Sequence, residues 1–484
     1  MRLLLPVLAA LALALAPAAA AGGPTLRIGA AEDVLKRPTL VEARAQMTLV
    51  RLAGFDTVRI TAIWAPGETE PSPLEADGIR NAADAAHLSA ISVVVAVYHR
   101  GSRTTPLTEE QRAEFTQFAA AIARENPTLR HFVVGNEPNL NGFWMPQFLE
   151  DGSSASPAAY LPLLAETYDA LKAVSPRIVV AGGALSPRGG DNPNLSRHTH
   201  SPTRFLRELG AAYRASGRTL PIMDQLAIHP YGTNSSQAPR AAVNPRSTTI
   251  GIGDYEKVVA LLAQAFDGTA QPGSTLPILY AEYGIESLIP QHKANLYTGA
   301  EPTRTRPVPE ATHGAYYRQA IELSFCQQNV AGILLFHVAD EPGLPQWQSG
   351  LYYVDGTPKT SLAAVRRAVV ESRRGVVARC PDLKLTPRLL RRTWPAGVVL
   401  DAKDPLRTRF ACSIDCAWRL ELVSSVGGRV VKQASGRALG GREVAARLPA
   451  RRVAPGRYRL RLTLRAPVNP GSPKRAMSSV LRLR

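Results

Sequence analysis

The chain has 484 residues, 45% of them hydrophobic, which is too long for one ordinary domain and enough for a barrel of about 250 residues with a smaller module beside it. Its net charge of +18 would suit nucleic acid or a membrane surface if it were spread evenly, and it is not. Cys380 to Arg484 hold 23 Lys and Arg against 6 Asp and Glu, whereas the residues before them hold 34 against 33, so the larger part is neutral and no nucleic-acid partner is expected.

Met1-Arg2, the Leu/Ala run at 3–16 and the small residues at 17–21 have the charged, apolar and small-residue regions of a secretory signal. Residues 1–21 are therefore expected to be removed and the protein to be secreted, extracellular or associated with the cell wall. The apolar run is shorter than the roughly 20 residues a spanning helix needs, and no later stretch qualifies, so no membrane span is expected.

Residues 25–31 read as a first strand and 38–53 as a helix closed by Gly54. A strand at 55–63 leads to Trp64, a helix passes through 82–90, and the apolar run 91–97 leads to Tyr98-His99. Thr108 and Gln111 form a capping box for a helix with Phe115, Phe118, Ala119 and Ile122 on one face. The strand at 132–134 then presents Asn136-Glu137-Pro138-Asn139, where Pro138 ends the ladder. The alternation continues with a helix at 158–174, a strand at 177–181, a helix at 203–216, a strand at 225–231 and a helix at 255–266. Pro277-Ile-Leu-Tyr-Ala-Glu-Tyr-Gly284 carries Glu282 off another short apolar run, followed by a helix at 310–328, a strand at 331–336 and a helix at 361–372. Eight mostly continuous apolar strands alternating with helices predict an α/β fold, a (β/α)8 TIM barrel over residues 22–375. The surplus length falls in loops at 186–200, 232–254 and 290–309, on the face where such barrels carry their sites.

Beyond Cys380 the period changes to two. Tyr458, Leu460, Leu462 and Leu464 alternate with Arg457, Arg459, Arg461 and Thr463, and Trp418-Arg-Leu-Glu-Leu422 does the same. Residues 380–484 are expected to form a basic β-sandwich of the immunoglobulin or fibronectin kind, suited to contact with an anionic glycan or cell wall. Of the four cysteines, Cys412 and Cys416 are close enough to bridge a tight hairpin, and Cys326 and Cys380 would tie one domain to the next; spacing alone leaves the pairing open.

Two carboxylates mounted on rigid strand ends are what cleavage of a glycosidic bond requires: one stays protonated to supply the leaving oxygen, and the other stays ionised to attack the anomeric carbon. Counted along the barrel, Glu137 falls at strand four and Glu282 at strand seven. This placement, with Gly135-Asn-Glu-Pro-Asn-Leu140 followed by Phe143-Trp144, resembles clan A retaining glycoside hydrolases, most closely glycoside hydrolase family 39, with family 5 next. The resemblance covers roughly residues 25–370. It implies Glu137 as acid/base and Glu282 as nucleophile, Asn136 on the sugar 2-hydroxyl, Arg59 near the nucleophile, His99 as the strand-three His of family 5, and His229 with Tyr231 as the strand-six His-x-Tyr pair. It implies a polysaccharide or oligosaccharide substrate and no cofactor. The sequence departs from the clan after strand eight, where Phe336-His337 replaces the usual Trp platform.

Trp64, Trp144 and Trp347 follow strands on the predicted active face and are candidates for stacking on sugar rings, although an aromatic is more often packing. Glu286 is the rival nucleophile, and Glu341 also lies near a strand end. His198-Thr-His200 has half the ligands of a metal site and no third in view, so no metal is expected. A binding protein that has lost turnover is the competing reading, and the retention of both Glu137 and Glu282 argues against it.

Overall fold

The computed structural model describes residues 21–395, 399–400 and 404–484, so the predicted signal, apart from Ala21, lies outside the described residues. Eight parallel strands, β1 (Arg27–Ala31), β2 (Thr57–Trp64), β3 (Ser92–His99), β4 (His131–Val134), β5 (Val179–Leu185), β6 (Gln225–Ile228), β7 (Ile278–Tyr283) and β8 (Val330–Phe336), form a closed barrel in chain order. Closure comes from β8 pairing onto β1, with Ile28 opposite Ile333. The helices between and after them are α1 (Leu40–Ala53), α2 (Pro73–Leu88), α3 (Glu109–Glu125), α4 (Ser156–Val174), α5 (Pro202–Ala215), α6 (Tyr255–Phe266), α7 (Glu310–Cys326) and α8 (Ser361–Arg373).

Local chemistry explains where these helices begin and end. Thr39, Ser72 and Thr108 each accept a backbone N–H at a helix start, and the Thr108–Gln111 capping box is complete on both sides. Gly54 closes α1 at φ 85°, a conformation in which a Cβ would be strained.

Alternation along each strand divides the apolar residues into two sets. Val58 and Ile60 of β2, Val95 and Val97 of β3, and Phe132 and Val134 of β4 point out to the helices and belong to the large core there. Val94, Ala96, Val133, Ala181, Ala227, Ala281 and Leu334 fill the barrel itself. Many of the inward residues are alanines, which leaves the C-terminal mouth open for larger polar side chains. Two irregularities break the alternation. In β7, Tyr280 pairs with Ile333 and Tyr283 with Leu335, so three steps on β7 match two on β8. In β5 the register to β6 slips between Gly183 and Leu185, around Ala184 at φ 45°. Each is a β-bulge, with one extra residue on one strand.

The C-terminal part consists of β9 (Leu389–Thr393), β10 (Val399–Leu400), β11 (Leu406–Cys412), β12 (Cys416–Ser424), β13 (Val430–Ala438), β14 (Glu443–Leu448), β15 (Gly456–Arg465), β16 (Lys474–Met477) and β17 (Leu481–Leu483). One sheet runs β10-β17-β15-β12-β13 with β16 also on β15, and the other runs β14-β11-β9; all pairs are antiparallel except β10 with β17. Phe410, Leu420, Leu460, Leu462 and Leu481 are among the residues buried in its core. The alternate residues of the larger sheet form its outer face, where Arg457 pairs across to Arg482 and Arg465 lies opposite Ala417, itself opposite Arg437. Glu421 is the one acidic residue of β12 and β15, and it takes a hydrogen bond from Arg461 at 2.8 Å.

Both cysteine pairs are disulfides, Cys412–Cys416 within the module and Cys326–Cys380 between α7 and the module. The module also joins the barrel's outer core through Leu385, Ile414 and Ala466, and Arg374 after α8 pairs with Asp415 at 2.6 Å.

Candidate active site

Glu137 stands just past β4 on an unusual backbone. Gly135 turns the chain at φ 85°, where a Cβ would come within 3.1 Å of the Tyr160 ring, and Glu137 itself sits at φ 43°. A non-glycine residue in this region is strained and persists only when its surroundings fix it. Those surroundings are specific: Glu137 N–H donates to the carbonyl of the bulged Ala184 at 2.9 Å, and Leu140 N–H donates to the Glu137 carbonyl at 2.9 Å. Asn139 is fully buried and ties this turn to the loop after β5, accepting from Ser186 N–H at 2.9 Å and donating to the Ser186 and His200 carbonyls.

Glu282 owes its direction to the β7 bulge. Strict alternation from Tyr280, which packs outward, would send Glu282 outward as well; the extra residue lets Ala281 and Glu282 both face the barrel while Tyr283 returns to the outer core. Arg59 points inward from β2, between inward Thr57 and Thr61. Its Nη1 donates to Glu282 Oε1 and its Nη2 to Asn136 Oδ1 at 3.4 Å. Tyr231 donates its hydroxyl to Glu282 Oε2 at 2.9 Å. With Oδ1 of Asn136 taken by Arg59, its amide nitrogen is left to face the cleft.

His229 joins the two carboxyl groups. Its Nδ1 lies 3.0 Å from Glu137 Oε1 and 3.5 Å from Glu282 Oε2, so those oxygens are no further apart than these two contacts laid end to end. Burial opposes charge on Glu282, but His229 and Arg59, with the hydrogen bonds from Arg59 and Tyr231, outweigh it and hold the carboxyl down at about 2. The site therefore keeps one carboxylate ionised across the physiological range, beside a second, Glu137, on the same imidazole.

A cleft of about 890 Å³ opens over these groups, lined by Arg59, Asn136, Glu137, Tyr231 and Glu282 together with Tyr98, Phe143, Phe336, His337 and Trp347. Trp347 leans on Tyr231 at 5.2 Å between ring centroids and on Phe336 at 5.3 Å, so an aromatic wall stands beside Glu282. Phe336 and His337 occupy the end of β8, with His337 Nδ1 held to the Ala31 carbonyl at 2.9 Å.

Four of the expected substrate contacts are absent from the lining of the cleft. His99 lies on the outward side of β3, 2% exposed, against the Phe143 carbonyl and the Trp144 ring; burial pushes its imidazole down to about 4. Its inward neighbour Tyr98 lines the cleft instead, with a hydroxyl that burial pushes up to about 12. Trp64 is likewise outward on β2, fully buried against Phe115, with its indole N–H donated to the Glu68 carbonyl at 2.8 Å. Trp144 is fully buried between His99 and Tyr160. His229 is fully buried too and bridges the carboxylates, leaving no face for a sugar. The rival Glu286 lies away from the Arg59 cluster and lines a different cavity, while Glu341 accepts from Trp347 N–H at 2.9 Å. His200 is spent on Ser154 and Gln147, at 2.7 and 2.8 Å, in the loop that Asn139 anchors.

Sequence reasoning missed Tyr98 and Phe143 as cleft residues. The polar inward side of β2, Thr57-x-Arg59-x-Thr61, gave the parity that would have found Tyr98, because β3 pairs with β2 in simple register, Arg59 opposite Val94 and Ile63 opposite Tyr98.

No family model matches the chain, and no curated protein matches it. Among solved structures it is similar to a calcium-binding mutant of β-glucuronidase 2 from Bacteroides uniformis, with 13% identity and a TM-score of 0.46 over 95% of this chain and 45% of that one. It is also similar to a monomeric β-xylosidase from Caulobacter crescentus, at 16% identity and a TM-score of 0.47 over 89% and 96% of the two chains. A glucosidase from Croceicoccus marinus is similar at 10% identity and a TM-score of 0.49 over 88% and 94%. The chain thus spans about half the length of the β-glucuronidase. All three are glycosidases by name, and with every TM-score below 0.5 the likeness distinguishes no family.

Proposed function

We propose that the chain is a secreted retaining glycoside hydrolase that cleaves O-glycosidic bonds of an oligosaccharide or polysaccharide by double displacement. The observation that carries this reading is the single imidazole of His229 touching both Glu137 and Glu282 while Arg59 and Tyr231 hold Glu282 ionised. An upper limit of 6.5 Å on the separation of the two bridged oxygens, the sum of 3.0 and 3.5 Å, favours direct attack over an intervening water.

In the first step Glu282 attacks the anomeric carbon as Glu137 protonates the departing oxygen. In the second, Glu137 takes a proton from water, whose oxygen displaces Glu282. Asn136, through its free amide nitrogen, would hold the hydroxyl next to the anomeric carbon, and Trp347 and Phe336 supply apolar surface to a ring face. The arginine-rich outer face of the C-terminal sheet would keep the enzyme on an anionic glycan or wall.

A panel of aryl glycosides tests the reading. Glu282→Gln should abolish turnover of every substrate. Glu137→Gln should be severe for poor leaving groups, mild for activated ones, and restored by azide, which attacks the glycosyl-enzyme without base help. Silencing by Glu286→Gln with Glu282→Gln still active would overturn the assignment.

A further inference from the structure

Glu137 stands between two cavities. The second, of about 400 Å³, shares only Glu137, Tyr231 and Trp347 with the first, and Glu282 faces the first alone. A nucleophile confined to one cavity and an acid/base common to both is the arrangement that places a scissile bond at their boundary. The ring to be attacked then lies in the first cavity and the leaving group in the second.

The second cavity is built from the loops after β5, β6, β7 and β8, and its polar lining is distinctive. Arg188 and Arg304 are exposed at its rim: Arg188 donates to the Gly232 carbonyl at 3.1 Å and feels the charge of Glu137, and Arg304 has no polar partner among the described residues. Glu286 is 7% exposed, its backbone N–H donates to Ser235 Oγ at 2.9 Å, and its Oε2 is buried with no hydrogen-bond partner. Burial, then the neighbouring Glu301, pushes the Glu286 carboxyl up to about 8, and burial raises Glu301 as well. Glu286 therefore carries less negative charge at neutral pH than an ordinary carboxyl, and two guanidiniums stand against Glu137 in the lining of the cavity.

We propose that the second cavity is a leaving-group subsite for a sugar bearing a carboxylate, a uronic acid residue, paired with Arg188 and Arg304 and hydrogen-bonded by Glu286. This rests on the glycosidase reading above. A neutral sugar would leave Arg304 without an anionic partner and Arg188 with Glu137 alone, whereas a planar carboxylate matches their fork of donors.

Transglycosylation tests it. With an aryl glycoside as donor, an acceptor seated in this subsite intercepts the glycosyl-enzyme: its hydroxyl oxygen bonds to the anomeric carbon, the bond from that carbon to Glu282 breaks, and the hydroxyl proton passes to Glu137. D-glucuronate and D-galacturonate should give at least about tenfold more transfer product than D-glucose and D-galactose at equal concentration. Arg304→Gln should abolish that preference, and Arg304→Lys should keep part of it. The ratio of charged to neutral transfer is taken within each protein, so it does not depend on how much hydrolysis a variant retains. Turnover of the donor with no preference for the uronic acids, or a preference unchanged in Arg304→Gln, overturns the subsite and leaves the glycosidase reading standing. Failure to turn over any aryl glycoside overturns both.

Discussion

Replacing Arg59 with Met removes the guanidinium that donates to Glu282 Oε1 while keeping a side chain of similar length. Holding the Glu282 carboxyl at about 2, against an ordinary value near 4.5, corresponds at about 1.4 kcal/mol per pH unit to roughly 3 kcal/mol of preference for the ionised form. Burial is the largest single influence and acts the other way, so losing Arg59 should let the carboxyl rise to its ordinary value or beyond, with His229 and Tyr231 only partly restraining it. The assay is kcat/KM against pH for a 2,4-dinitrophenyl glycoside, whose leaving group needs no proton from Glu137. The wild type should show no acid limb from its nucleophile above about pH 3. Arg59→Met should lose activity progressively below about pH 5 and recover toward neutral pH. Because the folded value is depressed, the ionised carboxylate adds stability above about pH 4.5 that disappears as the pH falls through about 2, so the melting temperatures of the two proteins should converge in strong acid. Coincident acid limbs in the two proteins would refute the claim that Arg59 keeps the nucleophile charged.

Trp64→Ala should cost about 3–5 kcal/mol of stability, read by thermal or denaturant unfolding, with kcat of the folded fraction unchanged; a raised KM without destabilisation would show that this ring does reach the substrate. Trp347→Ala should do the opposite, raising KM with little change in melting temperature, since the ring is half-buried at the cleft wall. Neutralising the outer face as Arg457→Gln/Arg459→Gln/Arg482→Gln should weaken retention on polygalacturonate at low salt, and wild-type retention should itself fall as salt shortens the Debye length below about 10 Å. Equal retention of the two proteins counts against the basic face. Full-length protein is needed for this comparison, because Ile414 and Leu385 lie in the barrel's own core and removing the module would expose it.

The barrel could be read from the sequence because parallel strands buried on both faces are continuous apolar runs, and the Thr108 box and Gly54 stop announce their helices in chemistry that acts locally. Glu137, Glu282 and Tyr231 stood out because they are polar groups at or near the ends of such runs, and Arg59 because it is a charge inside one. The same double burial hid which way a residue faces. In Val93 to Val97 nothing polar marks the inward side, so His99 and Trp64 looked like cleft residues although they follow outward positions. The bulge at Ala281-Glu282 left no mark in Pro277 to Gly284 at all, since it arises from the pairing of β7 with β8 and not from a local preference. In the C-terminal sheets, alternation of Leu with Arg is visible because one face meets water. That Ile414 docks on the barrel is not visible, because a single exposed-looking Ile in a turn has no pattern around it.

The extra residue in β7 also bears on how this scaffold could lose its chemistry. Adding one residue to β8 between Ile333 and Leu335 would leave every one of these side chains in the gene and restore regular pairing with β7, yet strict alternation from Tyr280 would then turn Glu282 toward the helices and away from Arg59, His229 and Tyr231. A descendant of this kind would align perfectly at each functional position except for one gap, and would bind sugars without cutting them. If the chain cuts glycosidic bonds as proposed, the difference between an enzyme and a lectin in this barrel is a matter of register, one codon wide.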